Sequence, residues 1–400
     1  MSTDGRARPR QRVACGLDVL LADDARLDQL RGARVGLLGH AASVTASFEH
    51  AIDALSEAGV PLKRLFGPEH GLRGEAQDMI AVDAGVDPLS GIETVSLYGH
   101  TFESLTPPAG SLDDLDVVLI DLQDVGSRYY TYVYTAWLVA RACSRAGVRA
   151  WVLDRPNPLG RPTEGPTVDD GFASFVGLQP LPNRHGLSVA EVLRFAAQSE
   201  AFDFEIVSTS VDVSASWFDE HDAPWVMPSP NMPTLETAVV YPGMCLVEGT
   251  NLSEGRGTTR PFELFGAPYV DAVALREELR ALDLPGIRFR LASFEPTFQK
   301  WARQGCRGLQ LHVTDRERFL PLQTGAAILW ACRRLFEGFA WRVDAYEFVD
   351  DIPAIDLLFG SARPRQLIDG GASFDELSKA LQTPPETRDR VRAAQLGEGA

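Results

Sequence analysis

The sequence has little positive charge for its length, and it lacks a long hydrophobic run. Its 400 residues include 38 lysines and arginines against 55 aspartates and glutamates, which gives a formal net charge of −17 at pH 7. Nucleic acids and anionic membranes are bound through positively charged surfaces, so this balance disfavours both as partners. No segment approaches the roughly 18 consecutive apolar residues of a transmembrane helix. We therefore expect a protein that binds neither nucleic acid nor a membrane.

Paired cysteines and clustered histidines are also missing. The five cysteines are widely spaced and form no CxxC pair, and the seven histidines form neither HxH nor HExxH. We therefore expect no bound metal. An odd number of scattered cysteines is typical of free thiols in a reducing compartment. The N-terminus also lacks the apolar stretch that a secretory signal peptide contains. Both features predict a cytoplasmic protein.

The sequence contains no strong signature of a nucleotide site or of a serine hydrolase. It has no GxxxxGK[ST] loop, no well-placed GxGxxG and no GxSxG elbow. The segment GHAASVT, at residues 39–45, offers only a weak loop for an anion. We therefore expect no cofactor.

Short apolar runs alternate with helical patterns over roughly the first 200 residues. Buried strands that alternate with helices are typical of a parallel sheet with both faces covered, so this part predicts a doubly wound α/β domain. The predicted strands are 34–42, 62–66, 115–124 and 148–154, and the predicted helices are 16–32, 46–58 and 129–146.

The chain changes character after about residue 210. Prolines and glycines crowd residues 223–268, where TAVVYPGMCLVEG is the one strand-like piece. Farther on, GIRFRLASFEP and GLQLHVTD predict strands, and 322–338 predicts a helix that ends at Gly338. Strands separated from helices indicate an α+β second domain.

Polar motifs follow directly after several predicted strands. In open parallel sheets ligands bind at the carboxyl ends of the strands, so GPEHG, DLQDVGSR and DRPNP are expected to converge on one edge. Carboxylates, arginines, amides and aromatics together suit a polyhydroxylated ligand, and paired carboxylates can hydrolyse a glycosidic bond. Each residue alone also has a structural interpretation, such as a helix cap for a strand-end aspartate or a surface ion pair for Glu254 and Arg256.

In their order along the chain, these motifs resemble one family. FGPEHG, DLQDVGSRYYTYVYT, DRPNPLG, RHGLSVAE, MPSPNMP and YPGMCLVEGTNLSEGRGTTRPFELFGAP are similar to motifs of the DUF1343 family, which contains exo-β-N-acetylmuramidases of the NamZ type. The resemblance runs from about residue 16 to about residue 370. It implies removal of single N-acetylmuramic acid residues from the non-reducing ends of peptidoglycan fragments.

The resemblance also implies a domain plan. We expect a disordered N-terminus at 1–15, a Rossmann-like catalytic domain with a parallel sheet at 16–210, and a smaller α/β (α+β) C-terminal domain at 211–390 that completes the cleft. The loop-rich stretch 223–268 is expected to wall off the pocket, and an ordered linker between the domains is the alternative.

Site residues follow from the same motifs. Glu69 is the leading catalytic carboxylate and Glu164 the second acid, with Asp124 and Glu254 as alternatives. An arginine is expected to read the lactyl carboxylate of muramic acid, and Arg128, Arg184 and Arg256 are the candidates. The residues expected to bind substrate are His70, Asp124, Arg128, Tyr129, Asn157, His185, Asn231, Asn251, Glu254 and Arg256.

The expected partners are peptidoglycan-derived saccharides of the MurNAc-GlcNAc type. The alternative is a non-catalytic muropeptide- or sugar-binding protein on the same scaffold. Retaining, inverting and substrate-assisted mechanisms all remain open at this point, as does the oligomeric state.

Overall fold

The computed structural model describes residues 10–74, 76–77, 80–81, 84–212 and 215–397. Its first half contains a seven-stranded sheet in the order β3-β4-β2-β1-β5-β6-β7, in which β3 alone of the described strands runs antiparallel to its neighbour. The strands are β1 Val35–Gly39, β2 Leu62–Gly67, β3 Gly85–Val86, β4 Glu93–Ser96, β5 Val117–Asp121, β6 Arg149–Leu153 and β7 Glu205–Val207. The helices of this half are α1 Gly16–Leu21, α2 Asp24–Arg31, α3 Ala51–Glu57, α4 Tyr132–Ala146 and α5 Val189–Ala197.

The direction of the strand order reverses at β1. This strand pairs in parallel with β2 on one side and with β5 on the other. Every residue of β1 and of β5 is buried, as their continuous apolar sequences predict for strands covered on both faces. The reversal creates a crevice at the carboxyl ends of β1, β2 and β5, which is where doubly wound sheets bind ligands.

The second half contains a three-stranded antiparallel sheet in the order β8-β10-β9. Its strands are β8 Leu264–Ala267, β9 Ile287–Phe294 and β10 Cys306–Val313. Its helices are α6 Leu235–Met244, α7 Ala272–Ala281, α8 Pro321–Leu335, α9 Ala354–Phe359, α10 Arg363–Asp369, α11 Phe374–Ala380 and α12 Pro385–Leu396. A 3₁₀ turn at Cys245–Gly249 follows α6 directly.

Helices α6 and α8 cross at two glycines. A Cβ atom added to Gly243 would lie 1.8 Å from the carbonyl oxygen of Pro321, and one added to Gly325 would lie 2.1 Å from that of Gly243. No side chain fits in such a gap, so both positions require glycine. The crossing fixes α6 against the second domain, and the 3₁₀ turn after α6 reaches the crevice of the first.

The α/β architecture with a smaller second domain is confirmed, as are the predicted strands of the first half and β9 and β10. The strand-like segment TAVVYPGMCLVEG was wrong, because it forms most of α6 and the 3₁₀ turn. Its β-branched residues are buried on all sides, and a short apolar run does not distinguish a buried strand from a buried helix. Helix α8 ends at Leu335 rather than at Gly338.

The N-terminal segment is ordered where the structure describes it. The amide of Gln11 donates to the carbonyl of Glu220, and the amide of Val13 donates to Asp222. The predicted disorder at 1–15 therefore does not extend to residues 11–15, while residues 1–9 lie outside the described part. Among the described helices, none is both long and apolar enough to cross a membrane.

Candidate active site

A cavity lies at the carboxyl end of β2, between the N-terminus of α4 and the second domain. The space between its lining atoms, together with the open solvent at its mouth, amounts to about 450 Å³. The first domain contributes Glu69, His70, Tyr129, Tyr130, Thr131, Tyr132 and Val176 to its lining. The rest comes from Ser229, Asn231, Met232, Tyr241, Glu248, Arg256, Phe262, Tyr346 and Glu347. The cavity is therefore formed by residues from both halves of the chain.

Glu69 projects from the turn that follows β2. The amide of Gly71 donates to the carbonyl of Pro68 at 2.9 Å, and His70 and Gly71 both have positive φ. The Glu69 side chain is 5% exposed, and its Oε2 accepts a 2.7 Å hydrogen bond from the Thr131 hydroxyl. A rigid turn and a neutral donor thus hold this carboxyl group at the cavity.

Two buried histidines lie near Glu69. His70 donates from Nδ1 to the carbonyl of Ala76 at 2.9 Å, and burial lowers its pKa. His40 accepts the amide of Gln123 at Nε2 and lies with its ring edge-to-face against Tyr132. Burial lowers the pKa of His40 well below its usual range. Both rings are therefore uncharged near neutral pH and act as hydrogen-bonding groups.

The opposite wall carries a buried network of charges. Glu248 accepts from Arg256 at Oε1 and from the Tyr346 hydroxyl at Oε2, both at 2.7 Å. Arg256 also lies 3.4 Å from Glu254, which in turn lies 3.0 Å from the amine of Lys300. Burial opposes ionisation of Glu248, but the guanidinium of Arg256 outweighs it and lowers the pKa of Glu248. Alternating charges therefore compensate one another along this wall.

Five of the predicted site residues line the cavity together: Glu69, His70, Tyr129, Asn231 and Arg256. Tyr129 accepts a 2.6 Å hydrogen bond from Asn183, and Asn231 donates to Gln77. Of the three candidate arginines, Arg256 alone is in this lining.

Glu164 lies outside the cavity lining, at the N-terminus of α8. Its carboxylate accepts the amides of Leu322 and Gln323 at 3.2 and 2.9 Å. Burial raises the pKa of Glu164 to about 7. These contacts make it a cap that joins the first domain to the second. As the second catalytic acid it remains a prediction, to which the lining of the cavity adds no support.

Asp124, His185 and Asn157 tie loops together below the cavity. Asp124 accepts the amide of Gly126 at 2.6 Å and lies 3.3 Å from Nε2 of His185. Nδ1 of His185 accepts the amide of Leu187, and Nε2 is the ring nitrogen that faces the carboxylate. Asn157 donates to the carbonyl of Leu187. None of the three is among the residues that line the cavity, and their contact with substrate stays a prediction.

Arg128 and Arg184 are buried against backbone carbonyls. Arg128 donates to the carbonyls of Pro166, Leu181 and Leu358, and burial lowers its pKa. Arg184 donates to the carbonyl of Leu159. Arg128 therefore joins the two domains, and neither arginine is among the residues that line the cavity.

Asn251 also lies away from the cavity. Its side chain donates to the carbonyl of Gly338 and accepts from the hydroxyl of Tyr269. Glu254 reaches the cavity only through Arg256. Among the described residues, no group of three or more metal-ligating side chains is assembled.

Two family models match the chain in succession. One, described as the N-terminal part of exo-β-N-acetylmuramidase NamZ, matches residues 35–236, and the other, the C-terminal part, matches residues 239–394. The chain belongs to the NamZ family. The models meet near residue 237, whereas the predicted division lies at 210/211, and the exact limit stays a prediction.

Known proteins match the chain over most of its length. The chain is 39% identical, over 95% of its length and 91% of the relative, to the peptidoglycan β-N-acetylmuramidase NamZ of Bacillus subtilis (strain 168). A DUF1343 family protein of Bacteroides fragilis has a crystal structure that matches with a TM-score of 0.84 at 27% identity, covering 97% of this chain and 99% of that one. A second protein of that family and species matches with a TM-score of 0.74 at 25% identity, over 97% and 98%. The chain is therefore a glycosidase of the NamZ class.

Sequence reasoning missed several residues of this NamZ cavity. Tyr130 and Tyr132 stand in the quoted motif DLQDVGSRYYTYVYT, and Glu248 stands in YPGMCLVEG, so the motifs carried a signal for them. Tyr346 and Glu347 lie in AYEFVD, which matched none of the motifs. Only the fold brings that segment to the cavity.

Proposed function

We propose that this chain is an exo-β-N-acetylmuramidase that releases N-acetylmuramic acid from the non-reducing ends of peptidoglycan-derived fragments, with Glu69 as general acid. Family membership supports the reaction class. The observation that carries the role of Glu69 is its position, buried on a rigid turn at the carboxyl end of β2 and in the lining of the shared cavity. In the reaction, Glu69 protonates the glycosidic oxygen as the bond to the anomeric carbon breaks.

The substrate we propose is a muropeptide saccharide of the MurNAc-GlcNAc type. Muramic acid carries a lactyl carboxylate, and a guanidinium binds a carboxylate through two parallel hydrogen bonds. Arg256 is the candidate arginine whose position supports this role, because Arg128 and Arg184 are held by backbone carbonyls. The rings of Tyr130, Tyr132 and Tyr241 supply aromatic surface for the sugar.

We also propose that the stretch 223–268 restricts the enzyme to chain ends. Asn231, Tyr241, Glu248 and Arg256 all come from this stretch and line the cavity. A mere linker would not contribute so many lining residues, so their position supports a wall on the far side of the pocket. A walled pocket admits one terminal sugar.

We propose the cytoplasm as the location. All five cysteines are free and buried in the described structure, which suits a reducing compartment.

The activity can be tested with chromogenic aryl glycosides. The wild-type protein is expected to release the aglycone from a β-N-acetylmuramide and to leave the matching β-N-acetylglucosaminide intact. Binding of the muramide without any release would instead support the non-catalytic sugar-binding alternative.

A further inference from the structure

The segment Tyr346–Val349 forms a tight two-residue turn. Tyr346 and Val349 exchange two main-chain hydrogen bonds, at 2.9 and 3.0 Å. The residues between them, Glu347 and Phe348, have φ values of 48° and 68°. Positive φ at both central positions is the pattern of a type I′ turn, which favours Asn-Gly because side chains with a Cβ are disfavoured there.

Packing around the turn holds Glu347 and Phe348 in a backbone conformation that is unfavourable for residues with a Cβ. The ring of Phe348 packs edge-to-face on Tyr98 and Phe102, with centroids 5.7 and 6.4 Å away, and it lies 6.4 Å from the ring of Phe175. Backbone strain of this kind persists where packing holds it, and it clusters at functional sites. The strained backbone of this turn therefore points to a function, and the position of the Glu347 side chain indicates which one.

Glu347 is brought to the cavity by this turn. Its side chain is 3% exposed, lines the same cavity as Glu69, and accepts a 3.2 Å hydrogen bond from the Tyr98 hydroxyl. The preceding residue, Tyr346, donates to Glu248. The turn thus connects the second domain to the cavity at two consecutive positions.

The candidate acids differ in where they lie and in what they contact. Among the described residues, the carboxylates in the lining are Glu69, Glu248 and Glu347. Glu248 is bound at both oxygens, by Arg256 and by Tyr346. Glu164 caps α8 outside the lining. Glycosidases commonly place two carboxyl groups on either side of the scissile bond, and Glu69 and Glu347 reach the cavity from different domains.

We infer that Glu347 is the second catalytic carboxylate, which contacts the bound sugar while Glu69 protonates the leaving oxygen. The inference rests on the proposed function. As the glycosidic C–O bond breaks, Glu347 stabilises the positive charge that develops at the anomeric carbon. Water then adds to that carbon and returns its proton to Glu69, so the reaction consumes one water and no other reagent.

The test compares two substitutions at this position. Glu347→Gln should lower kcat on the aryl β-N-acetylmuramide at least about 100-fold, with KM changed less than about threefold. Glu347→Gly should abolish activity and at the same time raise Tm, because glycine relieves the positive φ. The matched control is Asp283→Gly, since Asp283 is an exposed acid with a φ of 46° that does not line the cavity. This control should raise Tm with kcat unchanged.

The two sets of outcomes separate the inference from the proposed function. Near wild-type kcat in Glu347→Gln would overturn the inference, and so would a lower Tm or loss of folding in Glu347→Gly, which would mark a structural role. An inactive wild-type protein on every muramide would instead overturn the proposed function. Glu69→Gln serves as the reference for loss of a catalytic acid.

Discussion

The two walls of the cavity hold their carboxylates in different ways. On the first domain, Glu69 is held by the hydroxyl of Thr131, and the nearby histidine rings are uncharged. On the second domain, Glu248 is bound within a chain of charges through Arg256. Neutral neighbours suit a carboxyl group such as Glu69 that must give up and regain a proton. Compensated charges around Glu248 instead fix the shape of the other wall and hold Arg256 beside the proposed sugar position. We therefore propose proton transfer at Glu69 on the first wall and recognition of the substrate carboxylate at Arg256 on the second.

The largest effect is expected from the loss of Glu69. Glu69→Gln should lower kcat about 10²- to 10⁴-fold, because the amide cannot donate the proton that the leaving oxygen needs. The measurement is steady-state kinetics on the aryl β-N-acetylmuramide, with circular dichroism to establish that the variant is folded. A folded variant with turnover near that of the wild type would remove Glu69 from the mechanism.

The loss of Arg256 should lower the stability of the protein and raise KM. Arg256→Ala leaves Glu248 and Glu254 buried without their shared cation, and breaking a buried ion network in this way costs about 3–5 kcal/mol. We expect that loss in urea unfolding, together with a higher KM for the muramide. The matched control is Arg34→Ala, whose ion pair with Asp116 is exposed to solvent and should contribute far less to stability. Equal losses in the two variants would contradict the assignment.

Measurements on a Glu164 variant can distinguish a helix cap from a catalytic acid at this position. Burial raises its pKa to about 7, so the folded state holds this proton more tightly than the unfolded state does. This stabilisation is complete below the ordinary pKa of a glutamate and is lost as pH rises towards 7. The free energy of unfolding of the wild type should therefore fall by about 1–3 kcal/mol between pH 5 and pH 7.5, relative to Glu164→Gln. The same variant should keep kcat within about fivefold, and a 100-fold loss would restore Glu164 as the second acid.

The smallest effect is expected at the group that holds Glu69. Thr131→Val removes the 2.7 Å hydrogen bond to its carboxylate, and a single hydrogen bond of this kind contributes on the order of 1 kcal/mol. We expect a fall of about 5- to 10-fold in kcat. Thr135→Val is the control, since Thr135 is equally buried one turn along α4 and does not line the cavity. A larger loss in the control would show that helix packing, rather than the bond to Glu69, is affected.

The sequence predicted the sheet and the position of Glu69 at a strand end because both depend on local pattern. Continuous apolar runs identify β1 and β5 as strands covered on both faces, and Glu69 stands just after the shorter strand β2. Glu347 could not be found in this way, because packing of distant rings creates its turn and brings it to the cavity. Arg128 is a different case: its motif stands out in the sequence, but only the fold reveals that its side chain binds carbonyls across the domain boundary. Residue type and spacing say which groups are present, and long-range contacts decide which of them face the substrate.

We propose that one terminal muramic acid enters a cavity walled by both domains. Product analysis on two defined oligosaccharides tests it most directly, one ending in N-acetylmuramic acid at the non-reducing end and the other capped there by N-acetylglucosamine. We expect free N-acetylmuramic acid from the first and no cleavage of the second. Cleavage inside the capped chain would contradict the walled pocket and the exo-acting mechanism together.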